Sequence, residues 1–406
     1  MFTSLILCKF GVQFRNNIKM IKRTLQEALK KAIEKMPVVS LTGPRQSGKT
    51  TLIKDTFPNY AYSNLEQEDT RSKALTDPRA FLASFENRNI IIDEAQHVPH
   101  LFSYIQAIVD ENKKAKFILT GSQNFLLLEK INQSLAGRVR IMNLQTCSVQ
   151  ELRKAGYNYT KVQRYIFRGG YPRLYDSDLA PGEWLPSYIQ TYIERDVRQI
   201  VNIKELKYFQ KFLGLCAGRI GQLINYTDLS NTVGVNDKTI KHWMSVLEAS
   251  YVIYTQPPYY ENLGKRLIKS PKLYFYDTGL ACSLLNIRDE KQLLQHYQYG
   301  SLFENFIVNE IMKNFTNKGE RSQLYFWRES NGIEIDLLLD RGGKLIPIEI
   351  KASQTLKKDF FKNIHKVTKL PKAKNMTDGF AIYGGDDSYG NTVSWKDLVP
   401  RLLQKI

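Results

Sequence analysis

Three short apolar runs, VVSLTG (38–43), NIIIDE (89–94) and KFILTG (116–121), recur between stretches of helical periodicity across residues 21–160. Runs of this length without a polar face read as strands covered on both sides, which predicts a parallel sheet in an α/β domain. Beyond residue 160 the pattern changes. Residues 161–225 are helical and aromatic (YIFRGGYPRLY, then WLPSYIQTYIERDVRQIV) and predict a lid or connector. Residues 226–285 read as helix, tight turn, helix, followed by tyrosine-rich strands. Asn236 or Asp237 caps the second helix. Its residues Ile240, Trp243, Met244 and Leu247 fall at i, i+3, i+4 and i+7, one buried stripe. Lys238, Thr239, Lys241 and His242 are left on the other face. With VIYTQPPYY and KLYFYD downstream, and Lys265, Arg266, Lys269 and Lys272 among them, the unit predicts a winged helix able to meet DNA.

Residues 286–406 predict a helix (301–315), a hairpin (333–351) and a lysine-rich helical segment. Asp340-Arg341-Gly342-Gly343 reads as the hairpin turn, pairing 339 with 344, 336 with 347 and 334 with 349. Alternation then gathers Ile335, Leu337, Leu339, Ile346, Ile348 and Ile350 on one face. Glu334, Asp336, Glu349 and Lys351 share the other. Core packing accounts for the first face and gives no reason for the second.

Composition narrows the function classes. The 406 residues hold 58 Lys plus Arg against 40 Asp plus Glu, a net charge of +18. An acidic partner is expected, nucleic acid before a membrane surface. The 43% hydrophobic fraction excludes a disordered chain, and no apolar run approaches the ~18 residues of a membrane span. Cys8, Cys147, Cys216 and Cys282 are widely spaced, so no disulfide framework is expected and a reducing cytoplasm fits. FTSLILCKF (2–10) lacks preceding basic residues and a small-residue cleavage site. Residues 1–20 therefore read as a tail, with Met20 as an alternative start.

The strongest chemical signal is Gly43-Pro44-Arg45-Gln46-Ser47-Gly48-Lys49-Thr50, between a strand-like and a helical stretch. A GxxxxGK[ST] string in that setting wraps backbone N–H groups around phosphates at a helix N-terminus. Lys49 is placed to reach the outer phosphates of ATP, the Thr50 hydroxyl to ligate Mg²⁺, and Thr51 to extend the cradle. Asp93 and Glu94, ending the IIID strand, suit Mg²⁺ coordination and activation of the attacking water. Ser122, after the next strand, is a candidate γ-phosphate sensor. Arg138, in LAGR, is a candidate arginine finger acting within the subunit or across a homo-oligomer. A single P-loop argues against a helicase built of two such cores.

With those residues in place, the chain resembles the AAA-type ATPases of bacteria and archaea that carry a C-terminal domain of unknown function. GPRQSGKT, IIIDEAQ, LTGSQN, SLAGR, RGGYP (168–172) and YIERDV (192–197) carry the likeness. It implies ATP binding and hydrolysis with Mg²⁺. Asp336, twelve intervening residues, then Glu349-Ile350-Lys351 is similar to the D…ExK pattern of PD-(D/E)XK nucleases, with Glu304 of SLFENFIVNEI where that family carries a further acid. That likeness implies a restriction-endonuclease-like α/β domain. Asp336, Glu349 and Glu304 would then bind Mg²⁺, and Lys351 would position or deprotonate water. Eight lysines between 351 and 374, against Asp359 alone, offer a track for a phosphate backbone, DNA more than RNA. The five histidines show no zinc spacing. Two classes follow: an ATPase acting on nucleic acid, or a nucleotide-switched docking protein with an inert nuclease-like domain.

Overall fold

The computed structural model describes residues 20–85, 89–121, 134–194, 206–260, 270–329 and 331–404. Its first layer is a five-stranded, wholly parallel sheet. The strands are β1 (Val38–Thr42), β2 (Ala61–Asn64), β3 (Ile90–Asp93), β4 (Phe117–Gly121) and β5 (Val139–Asn143), in spatial order β2-β3-β4-β1-β5. The apolar runs alternate between two cores. Val39, Leu41, Ile91 and Ile118 meet the helix Leu25–Lys35, which offers Leu25, Leu29 and Ile33. Val38, Ile90, Ile92, Phe117 and Leu119 meet Leu101, Phe102 and Ile105 of the helix Leu101–Glu111. This is the expected P-loop sheet, and its order brings the C-terminal ends of β1, β3 and β4 side by side.

Helices Tyr226–Val233 and Asp237–Ala249 form the predicted helix-turn-helix, with Gly234 left-handed between them. Asn236, not Asp237, caps the second helix by accepting from Thr239 N–H (2.8 Å), while Asp237 accepts from Thr227 (2.9 Å). Ile240, Trp243, Met244 and Leu247 are buried as a stripe. A two-stranded antiparallel pair follows, β6 (Ile253–Gln256) and β7 (Lys272–Phe275). Lys265, Arg266 and Lys269 lie outside the described residues. Lys272 begins β7 as KLYFYD predicts, but it departs from the exposure expected of a wing lysine, being 2% exposed.

The C-terminal sheet runs β12-β11-β10-β9-β8, with β8 (Leu324–Arg328), β9 (Glu334–Arg341), β10 (Lys344–Lys351), β11 (Phe380–Tyr383) and β12 (Thr392–Ser394). The first three in sequence are antiparallel and the last two parallel to β10. The hairpin register differs from expectation by two residues, with Arg341 opposite Lys344 and Leu337 opposite Ile348. Gly342 and Gly343 both adopt positive φ (66° and 91°), so a two-residue turn suffices and each strand gains length. A two-residue shift preserves facing. A bulge also interrupts β9 against β8, between the Tyr325–Leu338 and Trp327–Ile335 pairs. It turns Ile335 away from Leu337 and Leu339, to join Leu338, Leu345, Ile364 and Val367. The expected single aliphatic face therefore becomes two. The other carries Leu337, Leu339, Ile346, Ile348 and Ile350 into one core shared with the connector, the helix-turn-helix and the helix Tyr299–Thr316.

Candidate functional site

The turn after β1 has little room for side chains. A Cβ on Gly43 (φ 144°) would lie 2.1 Å from the Leu144 carbonyl oxygen, and Gly48 is left-handed at φ 91°. The helix Lys49–Thr56 starts there, directing its first N–H groups into the loop. Lys49 is 6% exposed and donates to the carbonyls of Gly43 and Pro44, both at 2.9 Å. Burial pulls its ammonium down to about 8, although Glu94 and Asp93 pull the other way. Arg45 pairs with Glu66 (3.1 Å) and stacks on Tyr192, while its carbonyl accepts from Tyr188 (3.2 Å). Gln46 is left-handed (φ 60°). Ser47 is buried, and its carbonyl accepts from Arg23 at 2.7 Å.

Asp93 ends β3 and gathers three hydroxyls: Thr50 (2.7 Å), Tyr62 (2.8 Å) and Thr120. Glu94 follows in the left-handed region (φ 54°), its carboxylate accepting from Gln96 Nε2 at 2.5 Å. Thr51 sits at the mouth of a cavity of about 280 Å³, lined also by Ile21, Arg23, Leu52, Pro172 and Asp176. The predicted cluster from Gly43 to Thr51 with Asp93 and Glu94 is thus assembled. A hard-oxygen pair of one hydroxyl and one carboxylate fits Mg²⁺, which takes one or two protein oxygens together with phosphate and water. A larger cavity of about 540 Å³, near Phe85 and Ile108, holds none of these groups.

Two expected members stand apart. Ser122 lies outside the described residues, and Thr120 is the side chain that the end of β4 delivers. Arg138 is a correction. It precedes β5, and its carbonyl accepts from Val38 N–H at the start of β1, so it lies at the opposite end of the strands from the P-loop. Five residues of strand separate the two, about 16 Å. Arg138 instead forms a two-pronged pair with Asp110 (2.7 and 2.8 Å). This placement sets Arg138 apart from the P-loop of its own subunit.

The C-terminal sheet brings a second group of charges together. Lys351 reaches Asp336 (3.3 Å) and Glu349, and Asp336 accepts from Ile350 N–H (2.8 Å). Glu349 is 1% exposed and its Oε1 has no partner. Burial, then Asp336, raises its carboxyl to about 7. Glu304 bonds elsewhere. It accepts from Lys272 of β7 (3.3 Å) and from Tyr274 (2.5 Å), and Lys272 also meets Glu334 (2.5 Å). Lys272 and Lys351 thus stand against the carboxylates expected to hold a metal. Among the described residues no three His, Cys, Asp or Glu side chains are disposed to hold a metal ion.

Several members had weak sequence signals. Arg23 and Tyr62 lie outside every motif, and their partners are distant in sequence. Gln96 lies within the quoted IIIDEAQ but had no assigned role.

Over 338 residues the chain is 30% identical to an uncharacterized protein of Mycobacterium tuberculosis, spanning 82% of this chain and 74% of that one. The chain belongs to that protein's family. The family described as AAA domain matches residues 35–153, and two described as domains of unknown function, DUF8612 and DUF4143, match 159–291 and 299–400. This is an AAA-type P-loop ATPase domain followed by regions without assigned roles. An uncharacterized Haemophilus influenzae protein is 23% identical over 307 residues, covering 67% of this chain and 74% of that one. Among solved structures, the Walker-type ATPase of Pyrococcus abyssi matches 65% of this chain and 96% of its own at 13% identity, with a TM-score of 0.41.

Proposed function

We propose that this family member binds Mg·ATP at Gly43–Thr51 and hydrolyses it, and that its C-terminal half applies the cycle to nucleic acid, DNA before RNA. The observation that carries the ATPase reading is the Thr50–Asp93 contact at 2.7 Å with Glu94 one residue on. Lys49 would leave the Gly43 and Pro44 carbonyls to meet phosphate. Mg²⁺, when bound, would offset charge on the leaving phosphates. Thr50 and Asp93 would hold it, and Glu94 would take a proton from water. Arg138, at the far end of the strands, could serve a nucleotide only across a subunit boundary, so a finger role requires a homo-oligomer.

The nucleic-acid reading draws on exposed cations. Lys238, Lys241 and His242 stand clear on the second helix of the turn unit, and Lys357, Lys358, Lys362, Lys366 and Lys369 are exposed beyond Lys351. The mixed sheet with Asp336, Glu349 and Lys351 suits a restriction-endonuclease-like domain beside a winged helix. One observation favours an inert version serving as a docking surface: Lys272 and Lys351 already neutralise the carboxylates that a nuclease would leave for Mg²⁺. No described helix is long and apolar enough to cross a membrane, and a cytoplasmic location is part of the proposal. ATP turnover measured alone and with duplex DNA, single strands and RNA tests both readings. Stimulation by one of them, lost steeply with salt, supports action on nucleic acid. Turnover indifferent to all three supports the docking protein.

A further inference from the structure

Gln96 occupies a place in the ATPase site that neither the P-loop nor the Asp93–Glu94 pair accounts for. It follows Glu94 in the single turn Ala95–His97 and is 7% exposed. Its Nε2 donates to Glu94 Oε2 at 2.5 Å, and its Oε1 is buried with no partner. A carboxylate accepts only, so the amide nitrogen must be the atom that faces Glu94 and the oxygen the atom left over. Both heteroatoms share one carbon, which keeps Oε1 beside the same carboxylate. A buried amide oxygen without a donor is costly, about 1–3 kcal/mol. It persists where a ligand or reactant supplies the donor.

The reaction proposed above brings such a donor. Water attacking a phosphoryl group carries two O–H donors, and one acceptor leaves it free to rotate about a single hydrogen bond. Two acceptors fix it and direct a lone pair at phosphorus. We propose that Gln96 is a catalytic residue of this site, its Oε1 accepting one proton of the attacking water in a hydrogen bond while Glu94 accepts the other and removes it. The amide thus does two jobs. Nε2 holds the Glu94 carboxylate, which leaves a backbone position that non-glycine residues seldom adopt, and Oε1 orients the nucleophile. The water oxygen bonds to phosphorus, its proton passes to Glu94, and the bond to the departing ADP oxygen breaks. Gln96 neither gains nor loses a proton.

The inference rests on the hydrolysis reading, and one set of measurements separates the two. Steady-state turnover and the Kd of a non-hydrolysable ATP analogue are compared in the full-length protein, Gln96→Leu and Gln96→Asn. Gln96→Asn keeps the polarity and withdraws the amide by one methylene, so it stays informative where Gln96→Leu fails to fold. The expected result is kcat reduced on the order of 10-fold or more in either variant, with analogue Kd within about twofold of the parent. Parent-like kcat in a folded variant, or losses in kcat and analogue binding of equal size, would overturn the role. A parent protein that binds the analogue and shows no turnover would instead overturn the hydrolysis reading.

Discussion

Lys49 shows at the scale of one residue how the site trades stability for binding. Burial sets its ammonium near 8, below the ordinary lysine value of 10.5. The unfolded chain therefore holds more protons than the folded one between about pH 8 and 10.5, and stability rises with pH across that window. Below pH 8 the buried charge is a standing penalty of roughly 3 kcal/mol, which incoming phosphate relieves. Lys49→Met should leave the apo melting temperature at pH 7 unchanged or raised, and should abolish the upward shift given by Mg·ATP. A lower apo melting temperature with the ATP shift intact would mean that Lys49 serves the fold. Glu94→Gln separates binding from chemistry differently: analogue binding is expected to persist while turnover stops, and unchanged turnover would place the general base elsewhere. Lys49 is legible in sequence because phosphate geometry confines the P-loop to one contiguous string, and Glu94 because it ends an apolar strand. Arg23 was not legible. Its partners are the Ser47 and Gln145 carbonyls and Glu151, and only the folded sheet brings them together.

Among the elements, the C-terminal hairpin and β7 divide what periodicity can and cannot tell. A period of two fixes which residues share a face, and that parity survives a two-residue error in register. The Gly342-Gly343 turn and the bulge near Asp336 depend on local backbone geometry that alternation does not encode. Lys272 was misread for a related reason: a lysine beside a predicted wing looks solvated until the long helix Tyr299–Thr316 presents Glu304 to it. Its side chain, 3% exposed, joins β7 to that helix and to Glu334 of β9. Lys272→Met would strip Glu304 of its cation in a largely buried site, a loss of about 3–5 kcal/mol, while Glu334 keeps Arg328 (3.1 Å). The loss should depend on pH. Burial already raises Glu304 to about 7, against the pull of Lys272 and with a smaller push from Asp336. Without the lysine the value climbs further, and an acid whose folded pKa exceeds its unfolded one loses stability as pH rises. Denaturation of Lys272→Met should show a larger deficit at pH 8 than at pH 5.5. An equal deficit at both would show that packing of the lysine stem, not its charge, is what counts.

Across the whole molecule the three matched regions are fastened by buried polar contacts. Glu310 of the helix Tyr299–Thr316 accepts from Val149 N–H (2.8 Å). Lys313 donates to the Cys147 carbonyl (3.0 Å). Tyr251, left-handed and buried after the helix-turn-helix, donates to Thr42 Oγ1 (2.7 Å) one residue before the P-loop. Separating the ATPase domain from the rest would strand each of these groups, at about 1–3 kcal/mol apiece for neutral partners and more for charged ones. One hydrophobic cluster joins Ile21, Cys147, Val149 and Leu152 to residues as far as Leu403, while the parallel sheet keeps its own two cores. The full-length protein should therefore melt in a single calorimetric transition, and Mg·ATP bound at the P-loop should shift all of it. Tyr251→Phe removes one hydrogen bond and no packing, so a small drop in melting temperature is expected without loss of that unity. Two transitions in the parent protein, with only one moved by Mg·ATP, would mean that nucleotide binding is not felt beyond the parallel sheet. A single shifted transition would mean that the carboxylates around Asp336 and the lysines beyond Lys351 belong to the same cooperative body as the P-loop.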